Sequence, residues 1–223
     1  MIRAVIFDMY ETLITHYRCP LYFSAQMAAD AGIPAADFQR LWHATEAART
    51  TGQLTLENAL AEILRSHGRY SPELVRTLVS RRTATKEACF RHLHEDILPM
   101  LNALKERGLL VGLISNCFSE EAAVIRRSVL YPYFDAPLLS WEEGLQKPEE
   151  AIFHRCMERL GAAPEECLYV GDGGSHELET ARSLGMKALQ AAWYLREDTL
   201  QPCGRMPGFP QLEHPMEVLK HLA

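Results

Sequence analysis

Ala4-Val5-Ile6-Phe7-Asp8-Met9-Tyr10-Glu11-Thr12 is the stretch from which the rest of the chain can be read: a short apolar run stops abruptly at a carboxylate, Asp8, with a tyrosine two residues on. Such a run is a buried strand that delivers its terminal carboxylate to the edge of a sheet. One strand-terminal aspartate means little, because turns and helix caps use Asp constantly. Here the pattern recurs. Residues 109–114 form a second apolar run that ends in Ser115-Asn116, and residues 167–170 a third that ends in Gly171-Asp172. Between them, Lys147-Pro148 opens an amphipathic stretch. Continuous apolar strands alternating with helical patterns imply an α/β fold, a doubly wound parallel sheet covered on both faces, whose ligands bind beyond the carboxyl ends of the strands. Three strands therefore aim polar residues at one crevice.

Taken in order, these motifs resemble those of the haloacid dehalogenase-like hydrolase superfamily: Asp8-Met9-Tyr10-Glu11-Thr12, then Ser115-Asn116, then Lys147-Pro148, then Gly171-Asp172 with Glu177. Each is short and common by itself; four in the right order, three of them at strand ends, are specific. The resemblance covers residues 4 to 191 and implies a Rossmann-like catalytic core.

Composition agrees. A chain of 223 residues with 48% apolar content buries one substantial core and leaves room for a modest inserted unit. A net charge of −6 argues against a sequence-independent hold on nucleic acid. No apolar run approaches the roughly 20 residues of a membrane span, and the first strand starts so near Met1 that no room is left for a signal peptide. The expectation is a cytoplasmic protein with a small-molecule substrate and no nucleic-acid or membrane partner; oligomeric state is not legible. The six cysteines are scattered, with no Cys-x-x-Cys pair and no Cys/His cluster at zinc spacing, and read as reduced thiols. Cys117 follows Ser115-Asn116 but has no identifiable acid–base partner for a nucleophilic role.

Between residues 15 and 90 the strand signal disappears and four helical patterns replace it. Leu21, Tyr22, Ala25, Ala28 and Ala29 share one face before Gly32; Phe38, Leu41, Trp42 and Thr45 follow helical spacing, as do Leu56, Leu60, Ile63 and Leu64 before Gly68. Ser71-Pro72 opens the fourth, a cap followed by proline at the first helical position. The resemblance identifies this insertion as a helical cap domain, residues 17–91, set on a core of residues 1–16 and 92–223. A core helix is predicted over 94–107, closed by Gly108, and residues 201–210, rich in Pro and Gly, read as a surface loop before a short terminal helix.

By the resemblance, Asp8 is the nucleophile, forming a covalent aspartyl intermediate that water then hydrolyses. Lys147 stabilises its charge and that of the substrate, and Ser115 and Asn116 offer donors to phosphoryl or carboxylate oxygens. Thr12 of the first motif joins the substrate-binding set. Asp172 brings a second carboxylate toward Asp8; two such groups repel unless a proton or cation lies between them, and hard oxygen ligands suit Mg²⁺. The implied ligands are Asp8, the backbone carbonyl of Tyr10, and Asp172. Glu177, where the family often has aspartate, is assigned to supporting Lys147 or a bound water. From the cap, His43, Arg49 and residues 50–52 end the second helix and could reach the crevice, Arg49 as the better anion ligand.

Tyr10 departs from the pattern. Phosphatases of the family carry an aspartate there that protonates the leaving alkoxide, whereas its haloacid dehalogenases commonly carry tyrosine, since halide departs without a proton. The dehalogenases in turn usually replace Gly-Asp of the fourth motif with a serine-rich sequence and place a tyrosine six residues after the lysine; this chain has Gly171-Asp172 and Phe153. The favoured reading is a Mg²⁺-dependent phosphatase. A 2-haloacid dehalogenase, a phosphonate hydrolase using Lys86 of the cap, and a catalytically weak binding module are the alternatives.

Overall fold

The computed structural model describes residues 1–196, 201 and 203–222. In chain order its strands are β1 (Ala4–Phe7), β2 (Leu110–Ser115), β3 (Ala136–Leu139), β4 (Cys167–Gly171), β5 (Lys187–Ala191) and β6 (Gln211–Leu212), joined in one sheet of order β3-β2-β1-β4-β5-β6. All five pairings are parallel. Because β1 lies between β2 and β4, Phe7 pairs with Leu113 on one side and Val170 on the other, which brings Asp8, Ser115 and Asp172 to the same edge. The strand order changes direction at β1, the place where open parallel sheets bind their ligands.

Alternate side chains of each strand point to opposite faces. Val5 and Phe7 pack with Val111, Leu113, Leu168 and Val170 beneath α6 (Ile97–Glu106) and α7 (Ser119–Arg127). Ala4 and Ile6 pack with Ile114 and Tyr169 beneath α9 (Glu150–Leu160) and α10 (Glu177–Ser183). Burial on both faces is why the three central strands read as unbroken apolar runs. The helix predicted from residue 94 begins instead at Ile97, because the Asp96 N–H turns back to His94 Nδ1 (3.1 Å) and the His94 N–H donates to the Tyr194 hydroxyl (2.7 Å). Residues 201–210 precede β6 and a 3₁₀ turn, Pro215–His221; Pro202 lies outside the described residues.

The helical insertion consists of α1 (Ser24–Ala31), α2 (Ala35–Ala44), α3 (Glu46–Thr50), α4 (Leu56–Ser66) and α5 (Pro72–Cys89). The Ser71 side chain accepts the Leu74 N–H at the head of α5, as the cap-and-proline pattern predicted. The short α3 has no periodic signature and is not among the four helices expected. Met27, Phe38, Trp42, Leu60, Leu64 and Leu78 form a core of their own. The insertion leans on the sheet unit through α5, which packs against α7, and through α3, which meets a four-residue helix, α8 (Ser140–Glu143). There Gly52 passes so close that a Cβ would lie 2.3 Å from the Trp141 carbonyl oxygen. Among the described residues no helix is long and apolar enough to cross a membrane.

The gap between sheet and α9 is tight at Gly112 of β2, where a Cβ would fall 2.9 Å from Cys156 Sγ and 3.1 Å from Ile6 and Leu160 side-chain carbons. Gly112→Ala is expected to lower stability by about 1–3 kcal/mol through overpacking. Urea denaturation measures it, and an unchanged midpoint would show that α9 can shift away freely.

Candidate active site

Beyond β1 the chain turns sharply and Asp8 is 95% withdrawn from solvent, its exposure being 5%. Its N–H donates to the Val170 carbonyl (3.0 Å), and Thr12 Oγ1 donates to Oδ2 (3.3 Å). Lys147 Nζ donates to Asp8 Oδ1 at 2.5 Å and also to Glu177 Oε2, so one ammonium bridges two carboxylates. Glu177 receives further bonds from the Tyr169 hydroxyl (3.1 Å) and the Gly173 N–H (3.2 Å). Gly171 is required at the end of β4, since a Cβ there would lie 2.0 Å from Glu177 Oε1. Asn116 uses both ends of its amide on the Lys147 backbone: Oδ1 accepts the N–H (2.8 Å) and Nδ2 donates to the carbonyl (3.0 Å). The loop that carries the lysine is thereby pinned to the end of β2.

Oxygens of Asp8, Asp172 and Glu177 lie within 4.8 Å of one another, all buried, with Lys147 alone bridging two of them. Burial first, then the Glu177 charge, push the Asp8 carboxyl up to about 7 despite Lys147. Asp172 is raised well above the usual carboxylate range by burial, Glu177 and Asp8, relieved in part by the Gly174 N–H (2.9 Å) and the Lys147 charge. Burial by itself would depress Lys147, but Asp8 and Glu177 override it and hold the ammonium above its ordinary value. An all-oxygen set short of positive charge fits a hard divalent cation.

Tyr10 sits beside this set and is not poised to move protons. Burial and the neighbouring Glu121 raise its hydroxyl well above the ordinary value, and the buried oxygen has no hydrogen-bond partner among the described residues. Its ring stacks on His16 (4.7 Å between centroids, 8° between planes), with Lys86 Nζ 5.1 Å from the ring centre. His16 in turn contacts Glu11 Oε1 through Nδ1 (3.0 Å) and Lys86 Nζ through Nε2 (2.6 Å). Glu11 is buried in the left-handed region at φ +59°, a conformation costly for a residue with a Cβ. Lys86 and Arg82 of α5 reach Glu121 of α7, and Arg82 also reaches Glu120, tying insertion to sheet unit beside Tyr10.

Asp8, Tyr10, Asn116, Lys147, Asp172 and Glu177 all line one cavity of about 240 Å³. It opens beside a cleft of about 980 Å³ between insertion and sheet unit, lined by His43, Thr50, Trp42 and Phe118 among others. Three expected substrate ligands are placed differently. Thr12, fully buried, spends its hydroxyl on Asp8. Ser115 Oγ is buried without a partner and is not among the lining groups. Arg49 is not a lining residue either: its guanidinium lies over the Trp42 ring (3.5 Å) and the Phe118 ring (4.1 Å) and donates to the Trp42 carbonyl (2.8 Å). An arginine at a helix end with two aromatic planes nearby gains more from stacking and capping than from facing solvent. His43 does line the cleft and pairs with Glu46 (3.2 Å). The sequence reading missed His16, Phe23 and Ser175 as lining groups. A histidine eight residues after Asp8 was the one available signal, and its relevance rests on Lys86, 70 residues away.

A family model described as haloacid dehalogenase-like hydrolase matches residues 2–185. A glyceraldehyde 3-phosphate phosphatase of Methanopyrus kandleri is 28% identical over 204 residues, 83% of this chain and 82% of that protein. Among solved structures, a phosphatase of the same family from Thermococcus onnurineus superposes with a TM-score of 0.69 at 21% identity, covering 99% of this chain and 98% of the other. A 2-haloacid dehalogenase from Pseudomonas syringae pv. Tomato gives 0.67 at 20% identity over 100% and 98%. These two likenesses show the fold and do not choose between the chemistries.

The crowding of carboxylates has a measurable signature. Between the ordinary value of 3.8 and its raised native value, Asp172 is protonated in the folded protein and ionised in the unfolded one. The native state thus binds the extra proton, and stability falls as pH rises through that window. In metal-free buffer Asp172→Asn is expected to stabilise the protein at pH 8 by about 1–3 kcal/mol, an advantage that fades toward pH 4. Denaturation midpoints at the two pH values measure it; a difference independent of pH would mean that Asp172 is not raised.

Proposed function

The chain belongs to the haloacid dehalogenase-like hydrolase family, and on that premise we propose that it is a Mg²⁺-dependent phosphatase of a small phosphorylated metabolite, with Asp8 as nucleophile and residues 17–91 as a cap over a core of residues 1–16 and 92–223. The observation that carries this reading is the buried group Asp8, Asp172 and Glu177, bridged in part by Lys147, at the carboxyl edge of the central strands. A metal-independent displacement of halide has no use for Asp172, whereas a phosphate dianion approaching three carboxylates needs added positive charge. The Methanopyrus relative, named for a small phosphate ester, supports the substrate class.

In this reading Lys147 and Thr12 hold the two oxygens of Asp8 in place. Asp8 attacks phosphorus; the bond from phosphorus to the leaving oxygen breaks, and an aspartyl phosphate forms. Water then attacks phosphorus, which frees the carboxylate and releases inorganic phosphate. Asp8, the Tyr10 carbonyl and Asp172 would hold the Mg²⁺, whose charge offsets that of nucleophile and phosphoryl oxygens. Glu177 keeps Lys147 in position, and Asn116 fixes the loop that carries it. Ser115 Oγ is unpartnered but does not line the cavity, so no substrate contact is assigned to it. Tyr10 cannot replace the missing acid, so leaving groups that depart unprotonated are preferred.

Phosphate release from an aryl phosphate is expected to require Mg²⁺, to stop with EDTA, and to fall by about 10⁴-fold or more in Asp8→Asn. Tyr10 favours the second reading, a dehalogenase. Halide release from 2-chloropropionate that survives EDTA and is lost in Asp8→Asn would establish it and overturn the first.

Activity is also expected to depend steeply on leaving-group pKa, aryl and acyl phosphates far ahead of sugar phosphates. Tyr10→Asp should flatten that dependence, raising alkyl ester turnover by about 10²-fold. Equal rates on both ester types in the parent would show that another group supplies the proton.

A further inference from the structure

Away from the catalytic crevice, the turn before α6 and the start of the C-terminal 3₁₀ turn bring two histidines and an aspartate together. Ligand atoms of His94, Asp96 and His214 lie within 4.8 Å of one another. His94 Nδ1 is 4.0 Å from Asp96 Oδ2, and the two imidazole rings meet edge to face with centroids 6.3 Å apart. Of the three side chains, His94 alone accepts a hydrogen bond among the described residues. Asp96 stands at the N-cap of α6, yet its carboxylate makes no capping bond. No side-chain hydrogen bond of the His214 ring is found among the described residues; its backbone N–H donates to Glu217 Oε2 (3.3 Å) and its carbonyl accepts the Glu217 N–H (3.0 Å). His94 is held by its backbone, through the Tyr194 hydroxyl, and by the Asp96 N–H on Nδ1.

The geometry points to a second metal site, in which His94, Asp96 and His214 bind a divalent transition metal of the zinc class and fasten the C-terminal turn to the head of α6. Two imidazoles and one carboxylate form a nitrogen-rich set that suits zinc and its neighbours and does not suit Mg²⁺, in contrast with the all-oxygen group at Asp8. Zinc bonds of about 2.0–2.1 Å need ligand atoms somewhat closer than the metal-free spacing, and rotation of the exposed His214 ring supplies that. Binding on His94 exchanges one backbone hydrogen bond for a coordinate bond. Three protein ligands leave a position open to water.

The position gives the site a purpose independent of the catalytic reading. Val218 of the 3₁₀ turn packs in the same core as Ile97 and Leu101 of α6, but the elements there are slight: β6 has two residues and closes the sheet at its edge. A metal joining residue 96 to residue 214 closes a long loop in the unfolded chain and stabilises the folded state by mass action. Sequence spacing concealed the group, since His94 and Asp96 are two apart and His214 comes more than a hundred residues later.

The test is Zn²⁺ titration calorimetry on the whole protein in saturating Mg²⁺, with thermal melting as a second readout. The expected result is one saturable Zn²⁺ equivalent and a raised melting temperature, with affinity weakened at least about tenfold in both His214→Ala and Asp96→Asn. Co²⁺ in place of Zn²⁺ should give ligand-field bands without thiolate charge transfer. Absence of saturable binding, parental affinity in either variant, or a thiolate band that places the metal on cysteine would each overturn the proposal. Asp96 is partly exposed and His214 exposed, and a parental melting temperature of each variant without Zn²⁺ is the control that it folds.

Discussion

The ammonium of Lys147, buried between Asp8 and Glu177, is the interaction on which the site is organised. It joins the end of β1 and the head of α10 to the loop before α9, 139 and 30 residues away in sequence. A buried ion pair is a poor source of net stability, because desolvation consumes most of the Coulombic gain. Its persistence here needs the rest of the fold: Asn116 clamping the Lys147 backbone, Tyr169 and Gly173 satisfying Glu177, and Gly171 leaving room for it. Even so, one cation serves a cluster of three carboxylates, and Asp8 and Asp172 are left with raised protonation. That imbalance is the kind of strain that active sites hold and other parts of a protein do not.

A second set of buried charges lies on the other side of Tyr10. Arg82 and Lys86 from the insertion meet Glu120 and Glu121 from α7, and Lys86 continues through His16 to Glu11. The two sets do different work. The first surrounds Asp8, while the second joins the insertion to the sheet unit beside it, with the Tyr10 ring stacked on His16 and near Lys86. The aromatic residue in the first motif is thus built into the seam between insertion and sheet, which accounts for a tyrosine that has no hydrogen-bond partner and no readiness to titrate. The structural consequence is a tyrosine side chain committed to the seam, with no proton readily exchanged beside Asp8.

The central strands and the insertion were legible because their signals are local. A parallel strand covered on both faces must be apolar along its buried length, and β1, β2 and β4 are up to their carboxyl ends, where Ser115 closes β2; the helices of the insertion repeat at 3.6 residues and carry a recognisable cap at Ser71. The outer strands lack that signal. β3 contains Pro137, tolerated at a sheet edge, β5 begins with Lys187 and carries Gln190, and β6 is two residues long. Likewise α3 is a five-residue helix without a period, and the start of α6 moved to Ile97 because Tyr194, a hundred residues away, accepts the His94 N–H.

For the site, the sequence by itself determined which chemical groups end the central strands, Asp8, Ser115-Asn116 and Asp172, since a strand's last residue necessarily lies at the sheet edge; Lys147 and Glu177 were found by the order of the motifs that the chain shares with its family. Only the tertiary structure decided what each group is free to do. Arg49 is drawn into stacking on Trp42 and Phe118, Thr12 turns inward to Asp8, and Asn116 is used on a backbone. His16 with Lys86, and His94 with His214, are brought together by chain crossings that no local periodicity encodes. The physical reason is that hydrophobic periodicity reports which face of an element is buried, whereas the partner of a polar side chain depends on distances across the fold, which are set by how the elements are stacked.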